Sequence, residues 1–169
     1  MSNNIILIGF MGSGKTSVGK ALAEKLAFSF LDTDLYIEQK EKMSISHIFD
    51  EKGEQYFRDL ETSVLKELLE GTRDTVLAVG GGTPLRKENQ ELLQQLGCVI
   101  YLQITPQTVM EHLAGDTTRP LLQCEDPAKK IEELLTARQP LYQEAANRSV
   151  SVDGRAVEQI VEDICEKIQ

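Results

Sequence analysis

Apolar positions along the chain follow two periods in alternation. Asn4-Ile5-Ile6-Leu7-Ile8 is a nearly unbroken apolar run that stops at Gly9, the pattern of a strand buried on both faces. Val18, Leu22 and Leu26 then recur every four residues, which predicts a helix packing back on the sheet. Phe28-Ser29-Phe30-Leu31 reads as a short second strand. Over residues 54–70, Phe57, Leu60, Val64 and Leu68 share one helical face, with Gly71 as the expected stop. Residues 75–79 predict a third strand running into Gly80-Gly81-Gly82, residues 98–102 a fourth and residues 149–152 a fifth. Between the last two a helix is expected from about Asp126, with Ile131, Leu134 and Leu135 turned inward. Val157, Ile160, Val161, Ile164 and Ile168 give the final helix a 3.6-residue period.

Strand–helix alternation of this kind predicts an α/β fold with a parallel sheet flanked by helices. No repeat, low-complexity tract or linker interrupts it, so one domain over residues 1–169 is expected. In such sheets ligands sit at the carboxyl ends of the strands, and the candidate chemistry lies there.

Composition narrows the function class. Hydrophobic residues at 41% and charged residues at 27% are those of a globular protein in water. No run approaches the ~20 apolar residues of a membrane-spanning helix, and Met1-Ser2-Asn3-Asn4 has neither a basic segment nor a cleavage site. A cytoplasmic protein is expected. Cys98, Cys124 and Cys165 form no CxxC pair, and neither His47 nor His112 lies near a cysteine in sequence. Disulfides and zinc are therefore poor readings, and reduced, buried or inert thiols are expected. A net charge of −9 repels phosphate backbones, which argues against nucleic-acid binding. A small anion can be held only where a few arginines and lysines concentrate positive charge.

Gly9-Phe10-Met11-Gly12-Ser13-Gly14-Lys15-Thr16 fits GxxxxGK[ST]. Glycines let the backbone curl so that successive N–H groups face phosphate oxygens, and the following helix adds the positive end of its dipole. Lys15 can reach the β- and γ-phosphates, and the Thr16 hydroxyl can ligate Mg2+. A glycine-rich turn with no ligand is the plain alternative. The position after a buried strand and before an amphipathic helix favours the phosphate loop.

Other candidates are weaker one by one. In Leu31-Asp32-Thr33-Asp34, two carboxylates at i and i+2 can face one side of an extended segment, one for magnesium and one for a substrate hydroxyl. Equally, Asp32 can cap a helix whose first turn carries Asp34. Arg58 has Glu54 at i−4 and Glu61 at i+3, the spacing of a surface ion pair worth little. Arg138 extends the inward stripe of Leu134 and Leu135, so it either snorkels outward or lines a polar pocket. The Gly80-Gly81-Gly82 run is a turn or a close backbone approach to a ligand. Arg119, after the polar Gly115-Asp116-Thr117-Thr118, sits in an ordinary loop or on a lid.

Taken together these residues resemble the shikimate kinase family. The matching elements are GFMGSGKTSVG at 9–19, LDTD at 31–34, Phe57-Arg58-Asp59-Leu60-Glu61, the triple glycine, Arg119-Pro120-Leu121-Leu122 and Arg138-Gln139-Pro140-Leu141-Tyr142. They occur in the family's order over nearly the whole chain. A phosphate loop alone is shared with many unrelated NTPases, whereas the set is specific.

The resemblance implies a P-loop NTPase fold of the nucleoside-monophosphate-kinase-like group: a five-stranded parallel sheet with helices on both sides and a mobile lid near 112–125. A substrate-binding helical segment would span about 33–62. The implied reaction moves the γ-phosphoryl group of ATP to the 3-hydroxyl of shikimate. Gly12, Ser13, Gly14, Lys15, Thr16 and Ser17 would hold the phosphates, with Thr16 and Asp32 serving Mg2+. Asp34 would orient or deprotonate the attacking hydroxyl. Arg58, Gly80, Gly81, Gly82 and Arg138 would hold shikimate, Arg119 would close over ATP, and Arg155 in Asp153-Gly154-Arg155 would belong to the loop at the nucleotide base. The partners implied are ATP and shikimate alone, acting on a monomer. One position departs from the family pattern: where many members place an arginine against adenine, this chain has His112. A stacking surface survives that change and a fixed charge does not.

Overall fold

Asn4–Ile8, every residue of it buried, forms β1 at the centre of a parallel sheet. The computed structural model describes residues 3–114 and 124–169, and among these five strands make up the sheet. The others are β2 (Ser29–Asp32), β3 (Thr75–Ala78), β4 (Gly97–Gln103) and β5 (Arg148–Ser151), in the order β2-β3-β1-β4-β5. In register, Ile5 lies beside Val76 on one side and Cys98 on the other. The apolar run of β1 is explained by burial on both faces. Its one polar residue, Asn4, is satisfied in place: its amide donates to Thr72 O at 2.9 Å and Leu96 O at 3.1 Å, and its carbonyl accepts from Thr75 N at 3.1 Å.

Seven helices connect and cover these strands among the described residues: α1 (Lys15–Leu26), α2 (Thr33–Glu41), α3 (Ile45–Leu69), α4 (Lys87–Leu96), α5 (Pro106–His112), α6 (Pro127–Ala145) and α7 (Val157–Ile168). Helices α1 and α7 pack together on the sheet, α4 and α6 pack together on it as well, and α3 lies along α4. The sheet and helices match the expected α/β architecture. None of the helices is long and apolar enough to cross a membrane. Cys98 and Cys165 are part-buried thiols, and Cys124 is exposed rather than buried.

The strands fall within a residue or so of their expected places, but three helices do not announce themselves. In α2 only Thr33 and Ile37 are buried, in α5 only Thr108 and Val109, and α4 offers Leu92, Leu93 and Leu96 in a single turn. Such stripes are too short to set a period. Gly53, at φ 87° and ψ 165°, breaks α3 into two arms. The arm after it is the helix expected over 54–70, and the arm before it, from Ile45, was not foreseen. Gly71 stands just past the end of that helix, as expected, but without a left-handed conformation. The helix ends at Leu69, with Glu70 closing it in a right-handed conformation.

The chain passes from β1 to β2 and β3 on one side of the sheet, then to β4 and β5 on the other. The order reverses at the carboxyl end of β1, the point where open α/β sheets form a crevice for ligands.

Candidate active site

The loop leaving β1 opens into that crevice. Gly12 (φ 80°) and Gly14 (φ 88°) are left-handed, a conformation that a side chain makes costly. Gly14 caps α1 without any side-chain hydrogen bond, so the amides of the first turn are left to an anion at the positive end of the helix dipole. Lys15 Nζ donates to Gly9 O at 2.7 Å and to Phe10 O at 3.2 Å, which folds the ammonium over the loop. Gly12, Gly14, Lys15, Thr16 and Ser17 all line one cavity of about 690 Å³. Ser13 does not. It is 2% exposed, its amide donates to Phe10 O, and its hydroxyl has no partner among the described residues. The side chain is thus tucked beneath the loop.

Asp32 is the residue where both readings of the Asp pair meet. The segment is a helix start, not an extended strand with paired carboxylates. Asp32 Oδ1 caps α2 by accepting from Asp34 N at 2.9 Å and Leu35 N at 3.3 Å. Its Oδ2 accepts from Thr16 Oγ1 at 3.2 Å. Thr16 and Asp32 together offer two hard oxygens beside the phosphate loop, a donor set suited to Mg2+. Among the described residues no three His, Cys, Asp or Glu side chains group to hold a metal. Magnesium shared with substrate phosphates needs only one or two protein oxygens.

Asp34 lies in the same cavity, one helical step further on. Burial, then the negative charges of Asp32 and Glu61, push its carboxyl from the usual 3.8 up to about 6, against the opposing pull of Lys15. It is therefore a carboxyl held well above the usual carboxylate range, at about 6.

Across the cleft stand two arginines of different character. Arg58 Nη1 donates to Glu61 Oε1 at 2.8 Å, and Glu61 is 3% exposed. The i, i+3 pair is thus not the surface pair its spacing suggested. Thr83 Oγ1 donates to the other Glu61 oxygen at 2.6 Å, so the carboxylate is satisfied on both sides and fixes the guanidinium. Glu61 is the residue that the sequence concealed. Arg138, by contrast, pairs with no carboxylate among the described residues. It lines the cavity with its guanidinium 5.7 Å from the centre of the buried Phe10 ring.

The three glycines explain how these groups fit together. A Cβ at Gly80 would sit 2.9 Å from Asp34 Oδ1 and 3.2 Å from Glu61 Oε2. One at Gly82 would overlap the Arg58 guanidinium, and one at Gly81 would touch Arg138 Nη1 at 3.6 Å. The run is neither a bare turn nor a generic flexible loop. Gly80 and Gly82 make room for Asp34 and Arg58, whereas a Cβ at Gly81 would meet Arg138 only at ordinary contact distance.

His112 also reaches the site. Its Nδ1 lies 2.6 Å from Gly12 O, at the end of α5. Arg155 does not line this cavity: its guanidinium donates to Ser151 O at 2.9 Å and to Asp163 Oδ2 at 3.0 Å, beside a separate recess. Arg119 and most of the expected lid lie outside the described residues.

The arrangement therefore joins a phosphate loop, a basic carboxylate and two arginine forks around one space. The family model described as shikimate kinase matches residues 11–169. A shikimate kinase of Thermodesulfovibrio yellowstonii is 44% identical over 166 residues, spanning 98% of this chain and 95% of that relative. One of Persephonella marina is 45% identical over 166 residues, with 98% and 99% covered. A solved shikimate kinase of Acinetobacter baumannii in complex with shikimate superposes with a TM-score of 0.92 at 41% identity, covering 99% of this chain and 93% of that one.

Proposed function

Because this chain belongs to the shikimate kinase family, we propose that its cavity brings the γ-phosphate of ATP against the 3-hydroxyl of shikimate, with Asp34 as the base. The activity is phosphoryl transfer from ATP to shikimate, and the products are ADP and shikimate 3-phosphate. The observation that carries the residue assignment is Asp34 itself, a carboxyl raised to about 6 between Lys15 on one side and the Arg58–Glu61 pair on the other.

Phosphoryl transfer asks for positioning and charge stabilisation more than for covalent chemistry. The loop amides, Lys15 and the α1 N-terminus grip the phosphates. Thr16 and Asp32 would hold Mg2+, which would supply charge neutralisation for the transferring phosphoryl group. Arg119, carried by a lid over about 112–125, closes on the nucleotide, and Arg155 serves the base loop. The segment over about 33–62 supplies Asp34 and Arg58 to the acceptor. Arg58 and Arg138 take the shikimate carboxylate as charge-assisted forks, and in a chain of net charge −9 that local pair is what makes an anion welcome. Asp34 accepts a hydrogen bond from the attacking hydroxyl and receives its proton. The enzyme works as a cytoplasmic monomer on small molecules, without nucleic acid or membrane.

A coupled ADP-release assay with shikimate, gluconate, AMP or no acceptor tests the substrate. Rapid release is expected with shikimate alone, and equal rates with gluconate would overturn the choice of acceptor. The pH dependence tests the base. Asp34 must be ionised to act, so kcat/KM for shikimate should be flat above about pH 6 and fall about tenfold per unit below it. A profile flat down to pH 4 would contradict the assignment.

A further inference from the structure

A buried phenol lies directly behind the carboxylate-binding end of the cleft. Tyr142 is 0% exposed, its ring tilted against that of the equally buried Tyr101 at 5.1 Å between centroids. Packing alone would be served by phenylalanine. The hydroxyl, however, donates to Gly81 O at 2.7 Å across 61 residues of sequence. Arg138 precedes Tyr142 by one helical turn on α6, and both converge on Gly81: a Cβ built there would lie 3.6 Å from Arg138 Nη1 and 3.7 Å from Tyr142 Oη. Gly81 and Gly82 line the cavity, whereas Tyr142 does not.

A trans peptide is planar, with its C=O and the following N–H pointing in opposite directions. A Gly81 carbonyl held by the phenol therefore turns the Gly82 N–H away from Tyr142, and Gly82 is itself a lining residue of the cavity. Glycines have the widest backbone freedom of any residue, so three in a row need an external hold to keep one orientation. We infer that Tyr142 is a positioning residue for the carboxylate end of shikimate, acting through its hydrogen bond to Gly81 O to orient the glycine run beside Arg138. This rests on the reading of Arg138 and the glycines as the shikimate site.

The test is Y142F, which keeps the ring and removes the donor, measured by steady-state kinetics against both substrates. Loss of the hydroxyl, with its hydrogen bond to Gly81 O and its contact with the Arg138 side chain, is expected to raise the shikimate KM about five- to tenfold, with kcat and the ATP KM within about twofold of wild type. A purely structural role would instead lower the melting temperature and shift both KM values together, and that result overturns the inference. So does an unchanged shikimate KM in a folded variant. Should Y142F not fold, 4-fluorophenylalanine at 142 fills the hydroxyl's volume without donating and gives the same readout. Loss of the fold in both would make the hydroxyl a fold determinant and overturn the positioning role. Wild-type enzyme runs alongside: shikimate-independent ADP release there would remove the parent reading, while shikimate-dependent wild type with an unaltered Y142F removes only this inference.

Discussion

Asp34→Asn is expected to lower kcat by ~10²–10⁴-fold while the protein stays folded. The amide keeps the shape of the carboxyl and its neighbours but cannot receive the hydroxyl proton. The same variant should also be more stable than wild type at pH 8. In the folded protein the Asp34 carboxyl holds its proton up to about pH 6, whereas in the unfolded chain it releases it near 3.8. The folded state therefore binds more protons between those values, and stability falls as pH rises through that window. Above about pH 6 the ionised group detracts on the order of 3 kcal/mol, and below about pH 4 this proton-linked part of the difference from asparagine vanishes. Thermal melts of both proteins at pH 4 and pH 8, with ADP-coupled turnover at pH 8, check both halves. Near-normal turnover of the variant would remove Asp34 from the mechanism.

Arg138→Ala should weaken shikimate binding by about 3 kcal/mol, roughly a hundredfold, with ATP affinity nearly unchanged. The guanidinium has no carboxylate partner among the described residues, so its deletion leaves no orphaned acid behind. Arg58→Ala should weaken shikimate binding similarly but also lower the melting temperature, because Glu61 remains buried with only Thr83 to satisfy it. Isothermal titration of each variant with shikimate, and separately with Mg-ATP, reads the two effects. Equal shikimate affinity in wild type and Arg138→Ala would end the assignment of that arginine.

What the sequence discloses here depends on how local the physics is. The phosphate loop is legible because its chemistry lies within eight consecutive residues, and the strands because burial on both faces writes a continuous apolar run. Asp32 and Asp34 stayed ambiguous because a helix start and an extended pair share the same letters. Only the hydrogen bonds from Asp34 N and Leu35 N decide between them. Glu61 was hidden for a different reason. An acid three residues after an arginine reads as a solvated pair, and its burial arises only when Thr83 and Gly80, distant in sequence, close over it. Tyr142 was similarly masked: as one more apolar residue of α6 it looks like core, and its bond to Gly81 is a long-range fact. The pairing of the Arg155 guanidinium with Asp163, eight residues further on, is likewise visible only in the fold.

The two oxygens of Asp32 face in different directions, one toward the phosphate loop at Thr16 and one toward the amide of Asp34. A single carboxylate is thus a joint between the phosphate-loop threonine and the first turn of the helix that carries Asp34. Thermodynamic linkage makes such a joint symmetric. By whatever factor a seated nucleotide sharpens the grip on the acid, the acid sharpens the grip on the nucleotide, so the order in which the two arrive changes the route but not the final embrace.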